Sequence, residues 1–300
     1  MDKKEKLPIR LALPEGFLEE EVRCDYLISA DMKAVWAVEL DLVNEFQRVC
    51  REYGIQYFAD SGTLLGAVRH QGFIPWDDDI DIMMMRDQYD RLCSVADKAF
   101  SFPYFFQTEY SDPGTLRGHA QLRNSLTTGI LKEDFEKGRT FNQGIFIDIF
   151  PLDAIPDHEE EYQLKLQRTG SELGRARRVA SLQGAASLFR FPLFYDYFYR
   201  RYEKECRKGN DVRTEKVTKY YSALLAKRQI WYREDFESST DSAFEMLTIP
   251  VPAGYRRILD IFYGPDWMTP QRANSAHGGV LFDPVKPYTE YLEQGKWQEK

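Results

Sequence analysis

The sequence predicts an α+β protein, in which a mixed sheet with flanking helices precedes a mostly helical C-terminal region. Apolar runs with strand-like alternation predict the sheet, at residues 79–83, 103–108, 119–128 and 144–150. Apolar residues at helical spacing predict helices over 31–53, with Asp31 as the cap, and from Asp87 onward. After residue 156 the pattern changes to helices, predicted over 159–182, 187–208 and 211–227.

These patterns divide the chain into an N-terminal extension (1–30), a sheet-containing core (31–155) and a mostly helical region (156–300). The composition, 43% hydrophobic and 29% charged, is typical of a globular protein, and no apolar run has the length of a membrane span or signal peptide. A net charge of −8 disfavours nucleic acid as a partner. We therefore expect a cytoplasmic protein that meets any anionic substrate through a local basic site or a metal.

The cysteines indicate neither a zinc site nor a disulfide framework. Cys24, Cys50, Cys93 and Cys206 are far apart, and no two of them form a C-x-x-C pair.

An aspartate run at residues 77–81 is the strongest chemical signal. Asp79 and Asp81 alternate with apolar residues, so on a strand they share a face and can hold Mg²⁺ (or Mn²⁺) beside substrate phosphates. A solvated acidic surface is the common alternative, but the flanking apolar residues favour burial. A calcium loop of the EF-hand type fails at Ile82, where glycine is needed, and at Gln88, where glutamate is needed.

A small-residue helix start precedes this run. Ser61, Gly62 and Thr63 open a predicted helix whose free backbone N–H groups can bind an anion. Arg69 and His70 end that helix as polar side chains, and Gly72 and the Pro75-Trp76 pair lead into the acidic strand.

Together these residues resemble the signature of the LicD family, the phosphorylcholine transferase group that includes fukutin-related proteins. The motifs are Ser61 to Gly66, Arg69-His70, Gly72 to Trp76 and Asp77 to Asp81. The resemblance implies a nucleotidyltransferase-type fold for the core. It also implies transfer of phosphocholine, or a related phospho-alcohol, from CDP-choline or another CDP-alcohol to a glycan hydroxyl, with CMP as the leaving group. Acceptors of this kind are cell-surface glycans such as lipopolysaccharide or teichoic acid, some of them lipid-linked.

Two further residues gain a role from the resemblance. Asp148 is a lone charge inside an apolar strand, which is costly unless it is paired or metal-bound. With the resemblance, we predict that it joins Asp79 and Asp81, either as a metal ligand or as the group that takes the acceptor's proton. Arg123 lies in a region similar to a family element near the substrate and is predicted to bind a donor phosphate, with a surface arginine as the equal alternative.

Aromatic residues in the helical region supply a weaker hypothesis. Trp231, Tyr263 and Trp267 could form a box for a quaternary ammonium head by cation–π attraction, although packing is the favoured role for each. The aromatic and arginine-rich run at 189–202 is assigned to packing, with peripheral contact at the inner membrane face as the minority interpretation.

Three alternatives to this function stay open. A glycosyltransferase could use Asp79 and Asp81 for a nucleotide sugar, although residues 1–54 lack the strand-helix half that such folds place first. A nucleotidyltransferase would use the same metal chemistry, and a non-catalytic scaffold could keep the fold.

Overall fold

The computed structural model describes residues 6–185, 193–272 and 279–295. Helices are α1 (Ala30–Tyr53), α2 (Ser61–Arg69), α3 (Arg86–Ala99), α4 (Lys132–Glu136), α5 (Glu159–Ala185), α6 (Leu193–Arg207), α7 (Ala223–Ala226), α8 (Tyr255–Tyr263) and α9 (Tyr288–Gln294), with a 3-10 helix at Arg233–Phe236. Strands are β1 (Glu21–Arg23), β2 (Tyr26–Ile28), β3 (Phe58–Ala59), β4 (Asp81–Met85), β5 (Tyr104–Gln107), β6 (Ala120–Asn124), β7 (Thr128–Leu131), β8 (Ile145–Ala154), β9 (Lys216–Thr218), β10 (Trp231–Tyr232), β11 (Ser239–Phe244), β12 (Leu247–Pro252) and β13 (Val280–Asp283). The predicted α+β class is confirmed.

A mixed seven-stranded sheet organises the protein around β8. All ten residues of β8 are buried, and the strand pairs in parallel with β4 and antiparallel with β6 and β9. Strands β3, β5 and β10 extend the sheet from β4, β6 and β9. Because β8 is covered on both faces, its sequence is a nearly continuous apolar run.

Helix α1 packs against this sheet and is buried over most of its length. Its N-cap is Ser29, whose side chain accepts a hydrogen bond from the Met32 N–H, so the prediction of Asp31 as the cap was wrong. Asp31 lies instead in the first turn, where its negative charge favours the helix dipole. Gly54 ends the helix in the left-handed conformation, with φ of 60°, which glycine adopts without strain.

The region after residue 156 combines helices with strands. The predicted helix over 211–227 is wrong: β9 lies within it, and only α7 is helical apart from the turns. The β-branched Val217 and Thr218 pair with Ala154 and Asp153 at the end of β8, and this sheet contact overrides the local helical pattern. The predicted helix over 187–208 is α6 in its described part, and residues 187–192 lie outside the described residues.

One main hydrophobic core includes residues from both sides of position 156. Val217, Trp231 and Ile249 pack in the same cluster as Trp36 and Ile147. A second cluster lies between α5 and α6. It contains Tyr199 and Tyr202, whereas Phe194 and Tyr197 of the same aromatic run are exposed. In the described ranges, no helix combines the length and apolar character needed to cross a bilayer.

Candidate active site

A cavity of about 680 Å³ opens where the aspartate run meets the edge of the sheet. It is bounded by the start of α2, residues 74–81, strands β6 and β8, the segment 221–229 and the segment 262–271. Its polar lining consists of Ser61, Arg69, Asp77, Asp79, Asp81, Arg117, His119, Gln121, Asp148, Tyr221, Gln229, Tyr263, Asp266, Thr269 and Gln271.

Strand pairing brings the predicted acidic residues to this cavity. Asp81 and Asp148 are direct partners on the parallel strands β4 and β8, and the Asp148 N–H donates to the Ile80 carbonyl at 2.9 Å. Partners in register on neighbouring strands point to the same face of a sheet, so their carboxylates face the cavity together. Asp79 also lines the cavity, but β4 begins at Asp81, so the prediction that Asp79 lies on the strand was wrong.

Asp77 and Asp78 extend the acidic group beyond the predicted set. One carboxylate oxygen from each of Asp77, Asp78 and Asp79 lies within 4.8 Å of the others. Helix α1 holds the backbone of this run, because the buried Trp36 donates its indole N–H to the Asp77 carbonyl at 3.0 Å. The aspartates therefore occupy a fixed loop rather than a flexible surface segment.

Burial and mutual repulsion disfavour the ionised forms of Asp77 and Asp81. Burial raises the pKa of Asp81 well above its usual range, and repulsion from Asp79, Asp60 and Asp148 raises it further. Burial likewise raises the pKa of Asp77 to about 6. Clustered carboxylates with raised pKa values gain most from a cation between them, and carboxylate oxygens are the ligands that Mg²⁺ prefers. The donor set therefore fits a hard divalent ion.

Asp148 has a different environment from Asp81. Its Oδ1 atom accepts hydrogen bonds from His119 Nε2 at 3.0 Å and from Gln121 Nε2 at 2.7 Å. Burial opposes its charge, but the interactions with His119 and Gln121 outweigh burial and lower its pKa to about 2. Asp148 therefore stays ionised, with one oxygen fixed by two side chains.

The start of α2 is built around the same aspartates. Asp60 caps the helix by accepting a hydrogen bond from the Ser61 N–H, and its other oxygen pairs with the buried Lys219 at 2.5 Å. Ser61 and Gly62 line the cavity. Thr63 does not: its hydroxyl accepts a hydrogen bond from the Asp81 N–H and so joins α2 to β4.

Gly62 permits a close approach between this helix start and the aspartate run. A Cβ atom at position 62 would collide with Asp77 Oδ2. A larger residue at this position would therefore require the Asp77 carboxylate to move.

The predicted basic residues separate into two groups. Arg69 lines the cavity and donates to the Trp267 carbonyl at 2.6 Å, which ties the segment 262–271 to α2. His70 accepts a hydrogen bond from Arg69 and lies outside the cavity lining, and burial lowers its pKa to about 4.

Arg123 is in the interior rather than in the cavity. It is almost fully buried, and its guanidinium donates to Gln107 Oε1, Gln121 Oε1 and the Gly144 carbonyl. Arg123 therefore fixes the side chain of Gln121, and Gln121 donates a hydrogen bond to Asp148. The structure thus places Arg123 behind the site and Arg117, in the loop before β6, in its lining.

The three predicted aromatic residues do not come together. Tyr263 and Trp267 line the cavity, whereas Trp231 is 1% exposed and lies in the core. The face of Trp231 is 5.3 Å from the ammonium group of Lys219, so its cation–π contact is with the protein's own lysine.

Sequence reasoning missed Asp77, Arg117, His119, Gln121 and Gln229 as lining residues. The alternation of Arg117, His119, Gln121 and Arg123 at every second position was the available signal for the segment 117–123, which ends in β6. Three of the missed residues have a buried polar atom without a hydrogen-bond partner in the described structure, namely Arg117 Nε, His119 Nδ1 and Gln229 Oε1. Such atoms are costly unless a ligand binds them.

Comparison with known proteins matches the part of the chain that carries the acidic residues of the site, whereas the lining residues from 221 onward lie outside the family match. Residues 54–172 match the family described as LicD/FKTN/FKRP, nucleotidyltransferase domain. The chain is similar to the lipopolysaccharide cholinephosphotransferase LicD of Haemophilus influenzae, with 36% identity over 118 residues, which are 39% of this chain and 43% of that protein. It is also similar to the uncharacterized protein RP689 of Rickettsia prowazekii, with 33% identity over 134 residues, which are 43% of this chain and 46% of that protein. The matches thus span less than half the length of these relatives.

Proposed function

We propose that this protein, whose residues 54–172 match the LicD family, is a metal-dependent transferase that moves phosphocholine, or a related phospho-alcohol, from a CDP-linked donor to a glycan hydroxyl, with release of CMP. The observation that carries the proposal is the pairing of Asp81 with Asp148 at a cavity that also contains Arg69 and Arg117. Carboxylates beside guanidinium groups suit a substrate that carries both a metal and phosphates.

Asp79, Asp81 and Asp148 would hold Mg²⁺ (or Mn²⁺), with Asp77 as a further oxygen donor nearby. A bound divalent ion would neutralise charge on the donor diphosphate. The raised pKa of Asp81 supports this assignment, because its ionised form needs a compensating cation.

The chain's own residues would orient the donor. Ser61, Gly62 and Arg69 line the cavity, and the Ser61 N–H already donates to Asp60. The Gly62 N–H and the Arg69 guanidinium would therefore bind phosphate oxygens. The unpartnered Nε atom of Arg117 favours this residue over Arg123 as the second phosphate contact. Tyr263 and Trp267 remain the candidates for the quaternary ammonium head.

Asp148 would act on the acceptor side or on the metal through Oδ2, since Oδ1 is occupied by His119 and Gln121. As a fixed, ionised carboxylate it can accept a hydrogen bond from an incoming sugar hydroxyl. The acceptor we propose is a cell-surface glycan, free or lipid-linked.

Product analysis tests the proposal. The protein is incubated with Mg²⁺, a glycan acceptor and in turn CDP-choline, CDP-ribitol or CDP-glycerol, and the released nucleotide is identified. Metal-dependent CMP formation is the expected result. A nucleoside diphosphate from a nucleotide sugar would indicate a glycosyltransferase, and pyrophosphate from a nucleoside triphosphate a nucleotidyltransferase. Failure to bind Mg²⁺ or any CDP-alcohol in calorimetry would favour a scaffold.

A further inference from the structure

The wall of the cavity opposite in character to the carboxylates is aromatic and apolar, and it lies next to them. Tyr221 and Leu225 belong to this wall, and the Tyr221 ring packs 5.0 Å from Phe150 and 5.5 Å from His119. His119 is the residue that binds Asp148, so the wall adjoins the acidic group directly. A flat ligand group could stack here while its charged part reaches the aspartates.

Gln229 places one amide in this wall. It lines the cavity although only 2% of the residue is exposed, and its side-chain oxygen is buried without a hydrogen-bond partner in the described structure. Burying a carbonyl oxygen without a donor is unfavourable, so a ligand that supplies a donor recovers the lost hydrogen bond.

The backbone of Gln229 is fixed at both ends of the residue. Its N–H donates to the Leu225 carbonyl at 2.7 Å, and its carbonyl accepts a hydrogen bond from the Thr218 hydroxyl at 2.7 Å. Thr218 belongs to β9, which pairs with β8. The backbone from which the amide extends is therefore held by β9 and by the Leu225 turn, and a fixed backbone lowers the entropic cost of binding a ligand there.

An amide offers a donor and an acceptor side by side. This pair matches a nucleobase edge with an amino group next to a ring nitrogen, as in adenine, where Asn or Gln binds both groups, and in the N4 amino group and N3 of cytosine. The Tyr221 ring supplies the stacking surface that such a base needs.

We propose that Gln229 reads the base of the donor nucleotide, a cytosine, while Tyr221 stacks against it. This inference rests on the proposed function, since it takes the donor to be a CDP-alcohol. It makes Gln229 a specificity-determining residue, separate from the acidic group that handles the phosphates.

Calorimetric titration with two probes tests the assignment. CMP carries the base, and ribose 5-phosphate lacks it. With Mg²⁺ present, Gln229→Leu should weaken CMP binding by about tenfold to a hundredfold, the discrimination that a paired amide gives, and leave ribose 5-phosphate binding unchanged. Gln163→Leu, on the exposed face of α5, is the matched control and should bind CMP as the unmodified protein does.

Gln229→Glu keeps the side-chain shape and serves if the leucine variant fails to fold. It should also weaken CMP binding, because a carboxylate faces the lone pair of cytosine N3. Unchanged CMP affinity in either folded variant, or equal losses for CMP and ribose 5-phosphate, would overturn the inference alone. If the unmodified protein binds neither CMP nor CDP-choline, both the inference and the proposed function are wrong.

Discussion

Two buried aspartates on the same strand, Asp148 and Asp153, have opposite environments. Both Asp153 oxygens accept hydrogen bonds from Arg86, at 2.8 and 2.6 Å, and Asn210 donates to one of them at 2.7 Å. Asp148 receives its hydrogen bonds from His119 and Gln121, on one oxygen, and its strand partner is another carboxylate, Asp81. A bidentate guanidinium satisfies a carboxylate completely, so Asp153 supports the fold. Asp148 is left with capacity to bind something else.

The sharpest test of this contrast removes charge from the cavity. Asp79→Asn and Asp81→Asn should each lower CMP release by about 10³-fold or more, the scale of a lost electrostatic contact in a transition state. Thermal stability should stay equal or rise, because repulsion among the carboxylates is relieved. Enzyme assay and thermal unfolding of the same samples measure both. Loss of folding without a specific loss of turnover would contradict a catalytic role.

The converse substitution is Asp153→Asn, on the same strand. It leaves the buried Arg86 guanidinium without its carboxylate, which we expect to cost about 3–5 kcal/mol of unfolding free energy. Denaturant unfolding measures the loss. At a temperature where the variant is folded, its turnover should stay within a few-fold of the unmodified protein, and a loss as large as that of Asp81→Asn would show that the distinction between the two aspartates is wrong.

Arg117 and Arg123 differ in the same way, since Arg117 lines the cavity and Arg123 is buried behind it. Arg117→Lys should raise the KM for the CDP-linked donor by about tenfold, because lysine loses the forked contact with phosphate, and its retained positive charge should preserve the ion pair with Asp134 and most of the stability. Arg123→Lys should instead lower the unfolding free energy by about 1–3 kcal/mol, because it leaves some of the buried acceptors around Arg123 unpaired. Reversed outcomes would restore Arg123 as the phosphate ligand.

Metal binding should depend on pH in a defined direction. The pKa of Asp77 is raised from 3.8 to about 6, so protonation of Asp77 stabilises the metal-free protein below pH 3.8, and this contribution is lost as the pH rises through 6. Mg²⁺ competes with these protons. At a concentration of Mg²⁺ about 100 times its Kd at pH 8, we expect about 2.7 kcal/mol of stabilisation, falling to about 1.4 kcal/mol at pH 5, where protonation of Asp77 weakens Mg²⁺ binding about tenfold. Thermal unfolding with and without Mg²⁺ measures the difference, and Asp81→Asn should show a much smaller one.

Local sequence predicted the elements whose pattern is self-contained. Helix α1, strand β5 and the long strand β8 follow from periodicity, and the pairing of β4 with β8 brings Asp81 and Asp148 together. The resemblance to the LicD family rests on motifs in this part of the chain, and the family match covers residues 54–172.

Distant contacts explain what the sequence did not predict. The interior position of Arg123 depends on acceptors contributed by Gln107 and Gly144, and that of Trp231 on Lys219, none of which is close in sequence. The strand β9 replaces part of a predicted helix because a free edge of β8 was available to it. The position of a polar or aromatic side chain depends on the partners that the tertiary structure supplies, and the periodicity of the local sequence contains no information on those partners.

The contact between Gly62 and Asp77 constrains two motifs jointly. Because an oxygen of the Asp77 carboxylate occupies the space where a side chain at position 62 would begin, a larger residue there requires the Asp77 side chain to move away from the helix start. Substitutions at the two positions should therefore be coupled, so mutational libraries should vary both at once, and functional solutions should appear as matched pairs.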